Sequence, residues 1–170
     1  MGSRSALWLP AVLLLSACAG NPLRITDSDC PAVAVVKNTG SFTLFRPGPS
    51  RTPEDVVMTA TITGVRDNCR ETIRQITSDI EFVIAARRGP AATQDSITVQ
   101  YFATVIRDDR RLVRKATYET QLSFGGADRQ IKEEKVRTVL LDTDRANIST
   151  YEVLLGFQLS DDQVAYNVLR

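Results

Sequence analysis

Apolar and polar residues alternate along most of the chain with a period of two residues. This period is typical of half-buried strands, because successive side chains of a strand point to opposite faces of a sheet. Two shorter apolar segments, at residues 32–36 and 42–45, come first. The alternating segments follow at residues 58–62, 80–86, 99–105, 116–124, 136–140 and 151–159.

Polar, glycine-rich or proline-rich breaks separate these segments, and one turn is predicted near Asp67 and Asn68. Seven or eight short strands without a long amphipathic helix predict an all-β fold. We expect an immunoglobulin-like antiparallel β-sandwich of about seven strands. A small β-barrel of the lipocalin type is the alternative, although the strands are few and unevenly spaced for closure.

A short helix is predicted at the end of the chain. Ser160 and Gln163 have the spacing of a capping box, in which each side chain bonds the backbone of the other residue. Asp161 and Asp162 suit the positive end of the helix dipole. We expect this helix to cover one end of a sheet.

The N-terminus has the features of an export leader. Arg4 precedes an apolar run from residue 6 to residue 15, which is too short to span a membrane. Next comes Leu15-Ser16-Ala17-Cys18, which resembles the lipobox of bacterial lipoproteins. The resemblance implies cleavage before Cys18 and lipidation of its thiol; a plain signal peptide with an incidental cysteine is the alternative. Residues 1–17 are then the signal peptide, 18–29 a lipidated tether and 30–170 a single β-sandwich domain.

The residue after the predicted lipidated cysteine indicates in which membrane the protein would be anchored. It is Ala19 and not an aspartate, and aspartate at this position retains lipoproteins of enteric bacteria in the inner membrane. We therefore expect a protein of the bacterial cell envelope, anchored by lipid to the outer membrane and facing the periplasm. Exposure on the cell surface stays open.

With Cys18 acylated, two of the three cysteines remain, Cys30 and Cys69. An envelope compartment permits disulfides, so we predict a bridge between these two cysteines. Closing that loop restricts the unfolded chain by about 4 kcal/mol in the chain-entropy model. Two free buried thiols are the alternative, and a metal site is disfavoured because two thiols without histidine make a poor ligand set.

Candidate chemistry is scarce. The sequence contains no histidine, which excludes a Ser-His-Asp triad and histidine-ligated zinc, and no phosphate-binding glycine motif is present. The adjacent carboxylates Asp108-Asp109, Glu133-Glu134 and Asp161-Asp162 are interpreted as turns and caps, because neighbouring strand residues face opposite ways. Arg87-Arg88 and Arg110-Arg111 are interpreted as solvated loops, with contact to an anionic partner as the alternative. We expect no catalytic residue, no cofactor and no metal.

The overall charge narrows the choice of partners. The chain has 21 basic and 20 acidic residues, and loss of the leader, which contains Arg4, leaves 20 of each. Such a balance argues against nucleic acid, which requires a concentrated basic surface. The expected partners are the membrane, through the lipid anchor, and another envelope protein.

Several segments of the mature chain resemble a group of uncharacterised lipoproteins of alphaproteobacteria. These segments are Asp29-Cys30-Pro31-Ala32-Val33, Ile62-Thr63-Gly64-Val65 with Cys69, Arg88-Gly89-Pro90-Ala91-Ala92, and Gly156-Phe157-Gln158-Leu159 with Tyr166-Asn167. The resemblance implies no catalytic residue. We expect a non-catalytic binding or structural module for another envelope component, with a carrier of a small apolar ligand such as lipid as the alternative.

Overall fold

The computed structural model describes residues 30–72, 75–107, 110–141 and 151–169. The predicted signal peptide, Cys18 and the tether over residues 18–29 lie outside this part of the chain. Within it, no helix is both long and apolar enough to span a membrane.

Eight strands and one α-helix make up the described chain. The strands are β1 (Ala32–Val35), β2 (Ser41–Phe45), β3 (Val56–Glu71), β4 (Gln75–Arg88), β5 (Ser96–Arg107), β6 (Arg111–Ser123), β7 (Arg129–Leu141) and β8 (Tyr151–Phe157). A single 3₁₀ turn at Pro53–Asp55 precedes β3, and helix α1 (Asp161–Val168) follows β8.

The strands form two four-stranded sheets. Sheet I has the order β1-β8-β5-β6 and sheet II the order β2-β3-β4-β7. Every pairing is antiparallel except that of β1 with β8, which is parallel. The fold is therefore a β-sandwich, as predicted, and the alternative of a closed barrel is wrong.

The connectivity of the central strands is immunoglobulin-like. The chain crosses from sheet II to sheet I between β4 and β5, returns between β6 and β7, and crosses again to β8. As a result β4 lies beside β7 in one sheet and β5 beside β8 in the other, the Greek-key arrangement of that fold. The position beyond β8 is taken by the first strand, β1.

The core fills the space between the two sheets. Alternate residues of the central strands point inward and form one cluster, in which Met58, Ile80, Ile84, Leu122, Val153, Leu155 and Phe157 are fully buried. The Phe82 ring meets the Tyr101 ring edge-on at 5.3 Å between centroids, and so joins sheet II to sheet I. Edge-to-face pairs of this kind stabilise a fold by about 0.5–1.5 kcal/mol beyond the contribution of their buried surface area.

The turn predicted near Asp67 and Asn68 is wrong, because β3 continues through both residues to Glu71. Gly64 has a φ of +62°, and the pairing of β3 with β4 shifts register between Thr63 and Arg66. An extra residue in one strand reverses which side chains face inward. The bulge therefore turns Cys69 toward sheet I, where an unbroken alternation would place it outside.

The disulfide between Cys30 and Cys69 joins the two sheets at one end of the sandwich. Cys30 directly precedes β1 of sheet I, and Cys69 lies in β3 of sheet II, with their Cα atoms 6.1 Å apart. The cysteine pairing predicted from the sequence is present. It fixes the point at which the chain enters the sandwich.

Replacing both Cys30 and Cys69 with serine should lower the free energy of unfolding by about 2–5 kcal/mol, because the unfolded chain regains the entropy of an open loop. Urea titration of wild type and variant measures this difference. A reductant should destabilise the wild type by a similar amount and leave the double variant unchanged. Equal stability of the oxidised wild type and the double variant would contradict the expectation.

Candidate functional site

The sandwich has two distinct ends. The end at which Cys30 and Cys69 meet is the tether end, since residue 30 follows the predicted tether. The opposite end carries the last residues of β2 and β4 and the first residues of β3 and β7. Strand β4 contains 14 residues and runs from one end to the other, a distance of about 43 Å at roughly 3.3 Å per residue.

An open cleft of about 1150 Å³ lies at the far end, on the outer face of sheet II. We call it the distal cleft. Helix α1 forms one wall, the loop after β4 forms the other, and the ends of β2, β3 and β4 form the floor. Its lining residues are Thr43, Pro53, Val56, Thr59, Arg87, Arg88, Gly89, Pro90, Ala92, Asp128, Tyr166 and Leu169.

Helix α1 is held at its first turn and along one side. The amide of Gln163 donates to Ser160 Oγ at 3.4 Å, and the amide of Ser160 donates to Gln163 Oε1 at 2.9 Å, so the predicted capping box is confirmed. Asn167 Nδ2 donates to the carbonyls of Asn38 and Ser41 at 2.9 and 2.8 Å. The helix thereby covers the edge of β2.

An aromatic contact positions the helical wall of the cleft. The Tyr166 ring meets the Phe45 ring edge-on, with 5.0 Å between the centroids. Phe45 lies at the end of β2, next to the cleft floor. This contact holds Tyr166 on the cleft wall.

The second wall is a loop that folds back onto the start of β3. The amide of Gly89 donates to the carbonyl of Val57 at 2.8 Å, and that of Ala91 to the carbonyl of Val56 at 2.9 Å. A Cβ atom at Gly89 would lie 2.1 Å from the carbonyl oxygen of Val56. Only glycine permits this approach, which places Pro90 and Ala92 on the rim.

One row of residues crosses the cleft floor. Thr43 in β2 is paired with Thr59 in β3, Thr59 with Arg87 in β4, and Arg87 with Arg129 in β7. Thr43 is only 5% exposed although it points away from the core. The floor thus presents two hydroxyl groups beside a guanidinium group.

The neighbouring Arg88 is occupied by structural contacts. Its guanidinium lies 3.1 Å from the Asp95 carboxylate and 5.6 Å from the centre of the Phe124 ring. Asp95 also accepts hydrogen bonds from the amides of Gly125 and Gly126, which lower the pKa of its carboxyl below the usual value. Arg88 therefore ties the cleft rim to the turn after β6.

A buried carboxylate supports the floor beside Pro53. Asp55 is 1% exposed, accepts hydrogen bonds from the amide and hydroxyl of Thr52, and forms an ion pair with Arg46. Hydrogen bonds from the Ser50 and Thr52 hydroxyls lower the pKa of Asp55 to about 2. The ionised carboxylate thus holds the loop between β2 and β3 in place.

The carboxylate pairs considered from the sequence do not converge. Glu134 turns inward and accepts a hydrogen bond from the Tyr101 hydroxyl at 2.9 Å, whereas Glu133 points to the opposite face and is exposed. Asp161 and Asp162 occupy the first turn of α1, as expected of helix caps. Asp108 and Asp109 lie outside the described residues. In the described ranges no group of three acidic or cysteine side chains is placed to hold a metal ion.

The sequence does not reveal which residues meet in the distal cleft. The alternation predicts that Thr59 faces outward. It assigns Arg87 to the loop that follows the segment at residues 80–86. Their pairing depends on the register between β3 and β4, which no local pattern specifies. A basic residue directly after an alternating segment is the one available signal, and by itself it is weak.

Comparison with known proteins adds little. No family model matches the chain, and no characterised protein matches its sequence. Among solved structures, the variable (V) domain of the Streptococcus agalactiae AgI/II polypeptide BspA aligns with 94% of this chain and 93% of its own. The identity is 11% and the TM-score is 0.19, so this similarity carries no argument about fold or function.

The structure predicts a specific acid sensitivity. The pKa of Asp55 is about 2 in the folded state against an ordinary value of 3.8, so its ionised form stabilises the fold at and above about pH 4. This contribution should be lost as the pH falls from about 4 to about 2. An Asp55→Asn variant should be less stable at neutral pH and should lose less stability over that interval, as measured by urea titration.

A matched control for this measurement is Glu133→Gln, which removes an exposed carboxylate from a strand surface. Its pH dependence should follow that of the wild type. If Asp55→Asn loses as much stability between pH 4 and pH 2 as the wild type does, the role assigned to Asp55 is wrong.

Proposed function

We propose that the protein is a lipid-anchored, non-catalytic binding module of the bacterial cell envelope, related to the uncharacterised alphaproteobacterial lipoproteins that it resembles. Acylated Cys18 holds it on a membrane, in our proposal the outer membrane on its periplasmic side. The sandwich presents the distal cleft to another envelope component.

The position of the cleft carries this proposal. The anchor would enter at Cys30, which is bonded to Cys69, and Cys69 pairs with Ser78 of β4. Arg87 on the cleft floor lies nine residues further along β4, about 30 Å away at roughly 3.3 Å per residue. A domain held at one end therefore points the cleft away from its own membrane. Such an arrangement suits the capture of a partner in the compartment beyond the lipid surface.

The packing of the core favours a module over a carrier of apolar ligands. The inner faces of the two sheets fill the interior with one cluster of buried side chains. The cleft, in contrast, lies on an outer face and mixes hydroxyl, charged and apolar groups. Polar groups among apolar walls are typical of sites that bind a specific ligand in a defined orientation.

Cys18→Ser should release the protein from the membrane, because two or three acyl chains provide an anchor that the rest of the chain does not replace. Detergent phase partitioning of cell envelopes is the measurement. The wild type should enter the detergent phase, and an exported Cys18→Ser chain the aqueous phase. An exported wild type whose mass shows no acyl chain on Cys18 would refute the anchor.

A photoreactive residue in the cleft should capture the partner. Leu169 is 89% exposed and lines the distal cleft, so a benzophenone side chain there should cross-link a specific envelope component in living cells. Leu112, 59% exposed on β6 near the tether end, provides a matched control at an exposed leucine. A product seen at residue 169 and absent at residue 112 supports the proposal. Identical products at both positions, or none at residue 169, overturn it.

A further inference from the structure

On the outer face of sheet II, two directly opposed pairs of β4 and β7 join opposite charges, and one pair joins like charges. Along the β4–β7 pairing, Glu81 lies opposite Lys135, with 3.0 Å between the carboxylate and the ammonium group. Asp79 lies opposite Arg137, with 2.6 Å between carboxylate oxygen and Nε. At the distal end this complementarity ends, because Arg87 lies directly opposite Arg129.

Like charges on directly opposed strand residues destabilise a sheet. Neither Arg87 nor Arg129 forms an ion pair with any carboxylate of the described chain, whereas the adjacent Arg88 is paired with Asp95. Asp128 lines the same cleft, but its side chain forms no ion pair with either arginine. Arg87 and Arg129 are therefore directly opposed on neighbouring strands, and neither has a counter-ion in the described part of the chain. Of the two, Arg87 lines the cleft.

The hydroxyl groups of the same row are further hydrogen-bond donors in the cleft. Thr43 is 95% removed from solvent and lines the cleft, yet its hydroxyl has no hydrogen-bond partner among the described residues. Thr59 stands between Thr43 and Arg87, with a Cβ about 5 Å from each, as for any directly opposed pair. The Thr43 hydroxyl is not among the buried polar atoms that lack a partner in the described residues, so it is open to the cleft and available to donate a hydrogen bond to a ligand.

We infer that the distal cleft binds an oxyanion, the phosphate or carboxylate group of a partly apolar ligand, between the Arg87 guanidinium and the hydroxyls of Thr59 and Thr43. This inference rests on the proposed binding function and names its ligand class. Guanidinium groups bind phosphate and carboxylate through paired, charge-assisted hydrogen bonds. The hydroxyls donate to the remaining oxygens of the anion, and Arg129 offsets its charge from the neighbouring strand.

The walls of the cleft specify the rest of the ligand. Val56, Pro90 and Leu169 line it with apolar surface, next to the ring of Tyr166. A ligand that contacts these residues while its anionic group reaches Arg87 must carry apolar carbon atoms beside that group. Phenyl phosphate and benzoate fit this description, and they differ in the anion that they present.

The test is a titration of the full-length protein in neutral detergent micelles, at low ionic strength, with phenyl phosphate, benzoate and inorganic phosphate. Binding is followed by calorimetry and by the shift of backbone amide resonances. We expect saturable binding of phenyl phosphate or benzoate, tighter than that of inorganic phosphate, with amide shifts in β2, β3 and β4 around residues 43, 59 and 87. The tighter of the two aryl probes identifies the anion as phosphate or carboxylate.

Three variants sharpen the result. Arg87→Gln should weaken binding at least about ten-fold, the loss expected for a charge-assisted hydrogen bond. Asp128→Asn should strengthen it, because a negative charge is removed from the cleft. Arg114→Gln, the same change of charge at an exposed residue of β6 toward the tether end, should leave it unchanged.

The outcomes separate this inference from the proposed function. Equal weakening by Arg87→Gln and Arg114→Gln, shifts outside the cleft, or no saturable binding of any probe overturns the oxyanion site. A partner cross-linked at residue 169 together with one of those results leaves the binding module standing with a different ligand. Saturable binding that Arg87→Gln abolishes, without any cross-linked partner, supports the site and rejects the module.

Discussion

The structure depends on the contact between the inner faces of two sheets. Each sheet is apolar on alternate residues, and neither can remain exposed in water, so the two close on one another and exclude it. Phe82, Tyr101 and Phe157 are at most 2% exposed, and the Phe82 and Tyr101 rings meet across the interface. Because the interior is filled, the surfaces available for function are the outer faces, the edges and the two ends.

The open edges of the sandwich are protected in different ways. Helix α1 covers β2 through Asn167, which bonds backbone carbonyls that would otherwise face solvent. On the opposite side, β6 and β7 are long edges of 13 residues each, and both carry charged side chains beside exposed apolar ones such as Leu112 and Ile131. Charged residues at an edge discourage pairing with another chain.

A partly buried hydrogen bond links the two sheets, from the Tyr101 hydroxyl to the Glu134 carboxylate. Burial raises the pKa of Tyr101, so that its hydroxyl keeps the proton that it donates.

Local charge arrangement matters more here than net charge. The chain is close to neutral, yet the two ends of sheet II differ. Toward the tether end, Asp79 is 2% exposed between Arg70 and Arg137, which neutralise it and join β3, β4 and β7. At the distal end, Arg87 faces Arg129 without a described counter-ion. The net charge of the whole sequence does not show this contrast, because it counts charges that have an ion-pair partner together with charges that have none.

The sequence by itself determined the class of fold, the helix at residues 161–168 and the cysteine pair. Each of these depends on interactions or counts that can be read along the chain. They are the two-residue period, a capping box closed within four residues, and the two cysteines that remain when Cys18 is assigned to the predicted lipid anchor. The tertiary structure decided the rest. The bulge at Gly64 reversed the faces of β3 and extended it past the expected turn, and the register of four strands brought Thr43, Thr59, Arg87 and Arg129 into one row. Register depends on how whole sheets pack, so residues distant in sequence became neighbours that no local pattern could specify.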